Sequence, residues 1–389
     1  IPWFQHAGNG VVRHLKNRNG WAMNWNKQMK KPVIEAPHHL KSLNFRSDTL
    51  PIAERLGLTE DGYHLGQKGG RSEALLLLES FLYARGEGYT KKMSSPWTAF
   101  ESCSRLSTHL AFGTLSVREV FHALEIRNQQ VKNLPSLAKG KWPSAIRSFS
   151  GRLRWHCHFI QKLEDEPRLE FENLHSAYDR LRRDEFNVDY FEAWKVGKTG
   201  YPMIDACMRA LVATGWLNFR MRAMLASFAS FHLWLHWRQP ALHLARLFVD
   251  YEPGIHYSQM QMQSGTTGIN SIRIYNPIKQ GIDHDPDGEF IRSWIPELKN
   301  MSKENIHRPW ELPAQMNGYP MPIVDEKKAR KFAADKIYGI RKNTEHKQET
   351  KQIVKKHASR KQTAKRKKVS GKIKKDGDKK QPSQRELMF

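Results

Sequence analysis

Cysteine is scarce in this chain of 389 residues, which contains only Cys103, Cys157 and Cys207. An odd number of widely spaced cysteines argues against a disulfide framework and for a reducing compartment. The triplet His156-Cys157-His158 resembles a metal cluster, but neighbouring side chains on a helix point roughly 100° apart and cannot converge on one ion. No metal site is therefore expected.

Long apolar runs are also missing. The most apolar stretch, residues 221–235, is interrupted by arginine, serine and histidine, so no membrane span is expected. The chain begins Ile1-Pro2-Trp3 with neither an initiator methionine nor a signal-like segment, which indicates a fragment or a processed protein.

Acidic residues are outnumbered, with 39 Asp and Glu against 64 Lys and Arg, for a net charge of +25. Residues 325–389 carry +15 of this and residues 1–324 carry +10. Such a surface attracts polyanions by counterion release, and nucleic acid is the commonest partner. The alternative is that the tail only improves solubility. Because residues 325–389 are rich in lysine and poor in aromatic side chains, we expect them to be disordered when free.

The remainder divides into two regions. Residues 1–65 begin with a short aromatic segment, Ile1–Gln5, that is typical of a strand, and continue as a connector rich in proline and glycine. We interpret this region as the remnant of an α/β domain with a connector. Residues 66–324 have helical periodicity and almost no alternating strand pattern, which predicts one mostly α domain.

Two helices of this domain have clear end signals. Pro202 suits a first turn, and Gly215 suits the stop after an apolar face that includes Leu211. The next helix is predicted from Trp216 to about Leu235, with small residues that permit close packing.

Polar groups interrupt the aromatic residues of this domain at three places: the segment Cys103–Ser107, Arg222, and the segment Asp250–Glu252. Each has an ordinary explanation as a helix cap, a turn or a surface ion pair. Their order along the chain, together with further blocks, resembles the photolyase and cryptochrome family. The matching blocks are Cys103–Ser107, Leu110–Ser116, Gly197–Arg209, Thr214–Trp216, Phe219–Arg222, Trp237-Arg238, Asp250, Arg273–Pro277 and Asp285–Arg292.

The resemblance implies the family's helical FAD-binding domain, with most of the N-terminal α/β antenna domain absent. It also implies a set of residues at the cofactor: Tyr89, Cys103, Ser104, Arg105, Leu106, Ser107, Phe149, His156, Arg222, Asp250, Tyr251, Glu252 and His256. In this set Arg222 and Asp250 match an ion pair beside the flavin ring. The hydroxyls of Ser104 and Ser107 suit the diphosphate, because they lie at a helix start.

His256 and Trp237 are the catalytic candidates that the resemblance implies. His256 falls where the family has a residue facing flavin N5, so it could tune flavin protonation or, as a buried neutral histidine, be inert. Trp237 matches the middle position of the family's electron relay.

The chain departs from the family pattern in its relay and in its DNA-facing residues. Met260 replaces the flavin-proximal tryptophan and Asp184 replaces the outer one, so another route through Trp216, Trp234 or Tyr257 is needed, or photoreduction fails. The lesion-contacting glutamate is replaced by a base. The residues that the resemblance assigns to DNA are Arg152, Phe219, Arg220 and Met262.

We therefore expect a monomeric, FAD-dependent, light-driven DNA photolyase that repairs UV-induced pyrimidine dimers. The alternatives are a cryptochrome-like photoreceptor that binds DNA without repair, and a basic scaffold with a degenerate pocket. The C-terminal segment 384–389, QRELMF, resembles a peptide that binds the bacterial replication sliding clamp, or is an incidental end. The expected location is the cytoplasm, at the nucleoid of a bacterium, while Lys365–Lys368 are also compatible with nuclear targeting.

Overall fold

A computed structural model describes residues 2–4, 8, 10–41, 45–58 and 62–359. In these residues the regular secondary structure is helical throughout, and no β-strand occurs. The α-helices are α1 (Trp21–Met29), α2 (Arg71–Tyr83), α3 (Tyr89–Lys92), α4 (Pro96–Ser102), α5 (Ser107–Ala111), α6 (Val117–Asn133), α7 (Trp142–Asp165), α8 (Val188–Lys195), α9 (Pro202–Thr214), α10 (Phe219–Ser227), α11 (Arg238–Leu247), α12 (Pro253–Ser264), α13 (Pro277–His284), α14 (Glu289–Trp294), α15 (Glu326–Arg341) and α16 (Thr344–His357). Short 3₁₀ turns lie at Glu54–Leu56, Arg85–Gly88, Ser136–Lys139, Pro167–Glu170, Ser176–Tyr178, Pro296–Leu298, Pro309–Glu311 and Pro313–Gln315. The predicted mostly α fold is confirmed.

The ends of α9 agree with the sequence signals. Pro202 occupies its first turn, and Gly215 follows it with a φ of 65°, a left-handed conformation that favours glycine. The helix that follows is shorter than predicted. It begins at Phe219 after Asn218 and continues through a π-helical turn, Phe228–His232, so Trp216 lies outside it.

Two apolar clusters form the core. One is built around α9, α10 and α12, and the other around α1, α2, α6 and α7. Helices α7 and α12 cross where the clusters meet, and a Cβ on Gly254 of α12 would lie 2.5 Å from the Cα of Ile160 on α7. Only glycine permits this approach, which brings the side chains of the two helices to one site.

The chain beyond residue 325 differs from the sequence prediction. Residues 326–357 form α15 and α16, and both pack on the domain. Ala333 and Ile337 contact a cluster containing Phe231 and Trp234, and Ile353 joins Leu169 and Leu174 in another. A few apolar residues at helical spacing are therefore enough to anchor a segment whose overall composition is dominated by lysine. The rest of the predicted tail, 360–389, lies outside the described residues.

The predicted N-terminal strand is not seen where it can be assessed. Residues 2–4 have no regular secondary structure, and Ile1 and Gln5 lie outside the described residues. The connector contains α1 and one 3₁₀ turn. Within the described parts of the chain, no helix has both the length and the apolar content to cross a bilayer.

Candidate functional site

An arginine–carboxylate pair forms the centre of the candidate site. Arg222 of α10 donates from both terminal nitrogens to the two oxygens of Asp250, each at 2.8 Å. Its Nε donates to the carbonyl of Leu217 at 2.7 Å, and its guanidinium lies 4.1 Å from the ring of Phe248. This bidentate geometry fixes both charges with a strength that a monodentate pair lacks.

Asp250 stays ionised although its side chain is only 4% exposed. Burial alone would raise its pKa, but the guanidinium of Arg222 and a hydrogen bond from Ser107 together lower the pKa below its ordinary value. His156 of α7 lies near the same carboxylate, and burial lowers the pKa of its imidazole to about 4. The site therefore holds one carboxylate, one guanidinium and a neutral imidazole at neutral pH.

Arg105 lies between two aromatic rings at the edge of this site. Its guanidinium carbon is 4.0 Å from the ring centroid of Phe100 and 4.1 Å from that of Trp216. Burial lowers its pKa to about 10, so it stays charged at neutral pH. Its φ of 60° is unusual for a residue with a side chain. At this position the side-chain amide of Gln67 donates a hydrogen bond to the backbone carbonyl of Arg105, at 2.9 Å.

The Nη1 atom of Arg105 is buried without a hydrogen-bond partner in the described residues. An unpaired buried guanidinium N–H is costly, and an anionic ligand would satisfy it. The charges of Arg85, Arg105, Arg152 and Arg222 all act on Cys103. Burial nevertheless raises the pKa of the Cys103 thiol to about 12, so it remains protonated. This group of cationic side chains fits the diphosphate of the FAD that the sequence resemblance implies.

The serine hydroxyls of the loop have partners within the chain. Ser104 Oγ accepts from the backbone N–H of Leu106 at 3.4 Å, and the Ser107 hydroxyl bonds to Asp250. The side chain of Leu106 is buried in the core around α7 and anchors the loop. The loop therefore braces the ion pair, a role that the sequence did not indicate.

His256 of α12 donates from Nε2 to the carbonyl of Ala241 at 2.8 Å. Burial lowers its pKa to about 4, so the ring is neutral and its Nδ1 is left as an acceptor. Glu252 accepts from the N–H of Gly254 at 3.4 Å and caps α12, while burial raises the pKa of its carboxyl.

Two of the remaining predicted site residues, Tyr89 and Phe149, lie in the core. Tyr89 and Phe149 are buried against Phe81, and burial raises the pKa of Tyr89 to about 12. Arg152 bonds to the Tyr89 hydroxyl, and its guanidinium lies 5.5 Å from the half-exposed ring of Phe219. Arg220 is half-buried, as is Met262 near the end of α12.

An aromatic path leads from the interior to Asp250. The rings of Trp237 and Tyr257 are 6.5 Å apart, and those of Tyr257 and Tyr251 are 6.4 Å apart. Burial is the largest cause of the raised pKa of Tyr251, and a hydrogen bond between the two tyrosine hydroxyls raises the pKa further. Trp237 is buried and donates from its indole to Asn173 at 2.8 Å. Met260 is also buried in this core.

Sequence reasoning missed Arg85, which holds the loop before Arg105. Its guanidinium donates to the carbonyls of Leu77, Glu101, Cys103 and Ser104. No local pattern marks such a residue, because its partners lie up to 19 positions away.

Comparisons with known proteins find a photolyase-type FAD-binding domain in this chain. The family model for the FAD binding domain of DNA photolyase matches residues 149–338. A deoxyribodipyrimidine photo-lyase of Streptomyces griseus is 35% identical over 236 residues, which are 60% of this chain and 48% of that protein. The crystal structure of a class III photolyase from Agrobacterium tumefaciens is similar with a TM-score of 0.62 and 32% identity, covering 70% of this chain and 56% of that one.

A cryptochrome from Synechocystis is also similar in structure, with a TM-score of 0.70 and 25% identity, covering 82% of this chain and 68% of the cryptochrome. The chain spans about half the length of the curated relatives it matches.

Proposed function

Since the chain belongs to the photolyase and cryptochrome family, we propose that it binds FAD beside Arg222 and Asp250 and uses light to repair pyrimidine dimers in DNA. The resemblance inferred from the sequence blocks is thereby confirmed, and residues 149–338 form a FAD-binding domain of this family. The observation that supports the proposal most strongly is the bidentate Arg222–Asp250 pair near Arg105, whose buried Nη1 has no hydrogen-bond partner in the described residues.

The residues around Arg105 and the Arg222–Asp250 pair have separate tasks in this proposal. Arg105, with its free Nη1, binds the diphosphate, and the charges of Arg85 and Arg152 add to the attraction. The Arg222–Asp250 pair orients the flavin ring, and neutral His256 offers Nδ1 as an acceptor. When bound and reduced, FAD supplies the electron that light makes available.

The DNA-facing rim consists of Arg152, Phe219, Arg220 and Met262. Arginines contact phosphates, and exposed Phe219 and half-buried Met262 offer apolar surface to an extruded base. Extrusion of a damaged base pair costs less than that of an intact one, which favours lesions at such a rim.

We further propose that Tyr257 and Tyr251 provide the electron route for photoreduction that Met260 interrupts. Their hydrogen-bonded hydroxyls and their ring distances to Trp237 support a continuous path. A tyrosine that gives up an electron must also lose its phenolic proton, and the partner hydroxyl is positioned to accept it.

The second candidate function is a cryptochrome-like photoreceptor that binds DNA without repair. The observation that favours it is the position of Arg152, which replaces the lesion-contacting acid and is bonded to Tyr89. Similarity to the Synechocystis cryptochrome is compatible with either function.

Two measurements separate these functions. Purified protein should carry flavin absorbance, or acquire it when FAD is added. The reduced protein should then be illuminated together with oligonucleotides that contain a cyclobutane dimer or a (6-4) dimer. We expect it to repair one of these two lesions. Flavin binding without repair of either lesion would favour the photoreceptor. A colourless chain that takes up no FAD would exclude both functions.

We also propose that the segment 384–389, which lies outside the described residues, binds the bacterial sliding clamp. The support is its sequence, QRELMF, at the end of a basic segment. A pull-down with the clamp should recover the intact chain and lose one that lacks these six residues. Equal recovery of both chains would exclude the interaction.

A further inference from the structure

A cavity lies against α7, on a different face of the helix from the one that carries Phe149, Arg152 and His156. It has a volume of about 580 Å³, which is within the range of small-molecule sites. Helices α6 and α7 and the turn between them form its walls. The lining residues are Glu125, Asn128, Val131, Lys132, Lys139, Pro143, Ile146, Arg147, Ser150, Gly151 and Arg154.

Different faces of α7 serve the two sites. Phe149, Arg152 and His156 belong to the flavin side, whereas Ile146, Ser150 and Arg154 recur at four-residue spacing along the cavity. Residues at this spacing share one helix face. The cavity is therefore separate from the flavin site.

The charge of the cavity is strongly positive. Lys132, Lys139, Arg147 and Arg154 line it, against Glu125 as the only acidic lining residue. In the part of the chain that the structure describes, none of these four cations forms an ion pair. Four cations around one concave volume repel one another, and a bound anion would relieve that repulsion.

Arg154 supplies a donor without a partner. Its Nη2 donates to Asn26 at 3.3 Å and its guanidinium lies 5.5 Å from the ring of Trp25, so the side chain is anchored. Its Nε is buried and has no hydrogen-bond partner among the described residues. A buried guanidinium N–H in a cavity wall normally has an acceptor.

Gly151 lines the cavity without a packing role of its own. It lies in the middle of α7, where glycine weakens a helix relative to alanine. A Cβ there would meet no atom within 4 Å, so no close packing requires the glycine. Val131, Pro143 and Ile146 give the same cavity an apolar part.

We propose that this cavity binds an organic phosphate of nucleotide size. A phosphate monoester carries nearly two negative charges at neutral pH, which matches the excess of cations better than a carboxylate does. The volume and the apolar part fit a ligand larger than inorganic phosphate. Asn128 and Ser150 offer polar groups to the remainder of such a ligand.

The test is a titration of the purified chain with AMP, with excess FAD present so that the flavin site is filled. Calorimetry should show saturable binding with a Kd below roughly 1 mM, and the flavin spectrum should not change. Adenosine, which has no phosphate, should bind at least about tenfold more weakly, because charge-assisted bonds to the arginines are lost.

A 5′-phosphorylated trinucleotide distinguishes a strand end from a free nucleotide, because only a strand end gains affinity from its further phosphates.

Substitutions locate the site. Gly151→Leu should fill the cavity and weaken AMP binding at least tenfold, whereas Gly151→Ala should leave the affinity nearly unchanged and raise the melting temperature. Arg147→Gln combined with Arg154→Gln should also weaken binding at least tenfold. Lys299→Gln combined with Lys327→Gln, at two exposed positions distant from the cavity in sequence, is the charge-matched control. Equal affinity of Gly151→Leu and the unchanged chain, or loss of flavin absorbance as AMP binds, would overturn the proposal.

Discussion

Asp250 is the residue whose charge matters most for the flavin site, because it neutralises Arg222 and accepts from Ser107. Asp250→Asn keeps the shape but leaves the guanidinium without its counter-charge, at a cost of roughly 3–5 kcal/mol. We expect flavin content after purification to fall at least about tenfold. Absorbance of the protein before and after desalting measures this.

The pair of Arg209 and Glu297 offers a matched control, because it is also bidentate, at 2.8 and 2.9 Å, but lies outside the flavin site. Glu297→Gln should leave flavin content unchanged. An equal loss in both variants would mean that Asp250 acts on general stability and not on the cofactor.

The partners within this site were only partly predictable. Arg222 and Asp250 were identified because their blocks occur in the family's order along the chain. The ring–cation–ring stack of Arg105 with Phe100 and Trp216 was not, because it joins residues more than 100 positions apart. Such contacts depend on tertiary packing and leave no local signal.

Tyr257 tests the proposed electron route. Tyr257→Phe keeps the ring and its packing against Trp237 but removes the hydroxyl shared with Tyr251. We expect light-driven flavin reduction with an external reductant to slow at least several-fold, while flavin content stays the same. Tyr275→Phe, a tyrosine outside this path, is the control. An unchanged rate for Tyr257→Phe would exclude Tyr257 from the route.

At the scale of elements, the crossing of α7 and α12 depends on Gly254. Gly254→Ala would force a Cβ to within 2.5 Å of the backbone of Ile160, so the helices must separate. We expect a loss of about 1–3 kcal/mol in the free energy of unfolding, with weaker flavin retention because both helices line the site. Chemical denaturation monitored by circular dichroism measures the change.

The same substitution on α7 is the comparison. Gly151→Ala adds a methyl group where no atom lies within 4 Å, so it should stabilise the helix by about 1 kcal/mol. Destabilisation by both variants, or by neither, would contradict the packing argument.

Helix α16 is held by buried histidines that should make it sensitive to acid. Burial lowers the pKa of His357 to about 3 and lowers that of His346. Groups around His357 are Arg18, Lys162, Lys356 and Glu166, and their net positive charge opposes its protonation. Unfolded histidine titrates near 6.5, so below that pH the unfolded chain binds the proton and the folded chain does not. The contribution of each buried histidine to the free energy of unfolding is therefore complete above pH 6.5. It decreases as the pH falls, by at most roughly 1.4 kcal/mol per pH unit for each histidine.

Hydrogen exchange of the α16 amides at two pH values tests this, after correction for the intrinsic exchange rate. Protection should fall more between pH 7 and pH 5 in α16 than in α9, and His357→Gln should reduce the difference. His38→Gln, at an exposed position, should not. Equal loss of protection in α9 and α16 would contradict a local role of these histidines.

Helix prediction succeeded where end signals were strong and failed where composition dominated. Pro202 and Gly215 delimit α9 correctly because both act through local backbone geometry. The lysine content predicts a disordered tail where α15 and α16 form, because it outweighs the sparse apolar spacing of Ala333, Ile337 and Ile353. Their stability comes from contacts with residues far away in sequence.

At the scale of the whole molecule, positive charge is spread over the domain and concentrated at the C-terminal end. Residues 360–389 contain 12 basic and three acidic residues, or +9 of the total of +25. The domain that carries the flavin site is therefore itself basic. The sequence alone sufficed for this conclusion, because net charge does not depend on the fold.

Removal of residues 360–389 should weaken DNA binding mainly at low salt. Each phosphate that a protein neutralises contributes about −0.9 to the slope of log affinity against log salt, so loss of +9 should make the slope shallower by several units. Fluorescence anisotropy with a duplex oligonucleotide between about 50 and about 200 mM salt measures this, and flavin content should not change. Deletion of 384–389 alone removes one basic and one acidic residue and should leave the slope intact. If the shortened and full chains have equal slopes, the domain and not its basic extension makes the phosphate contacts, and the rim around Arg152 and Arg220 becomes the surface to mutate.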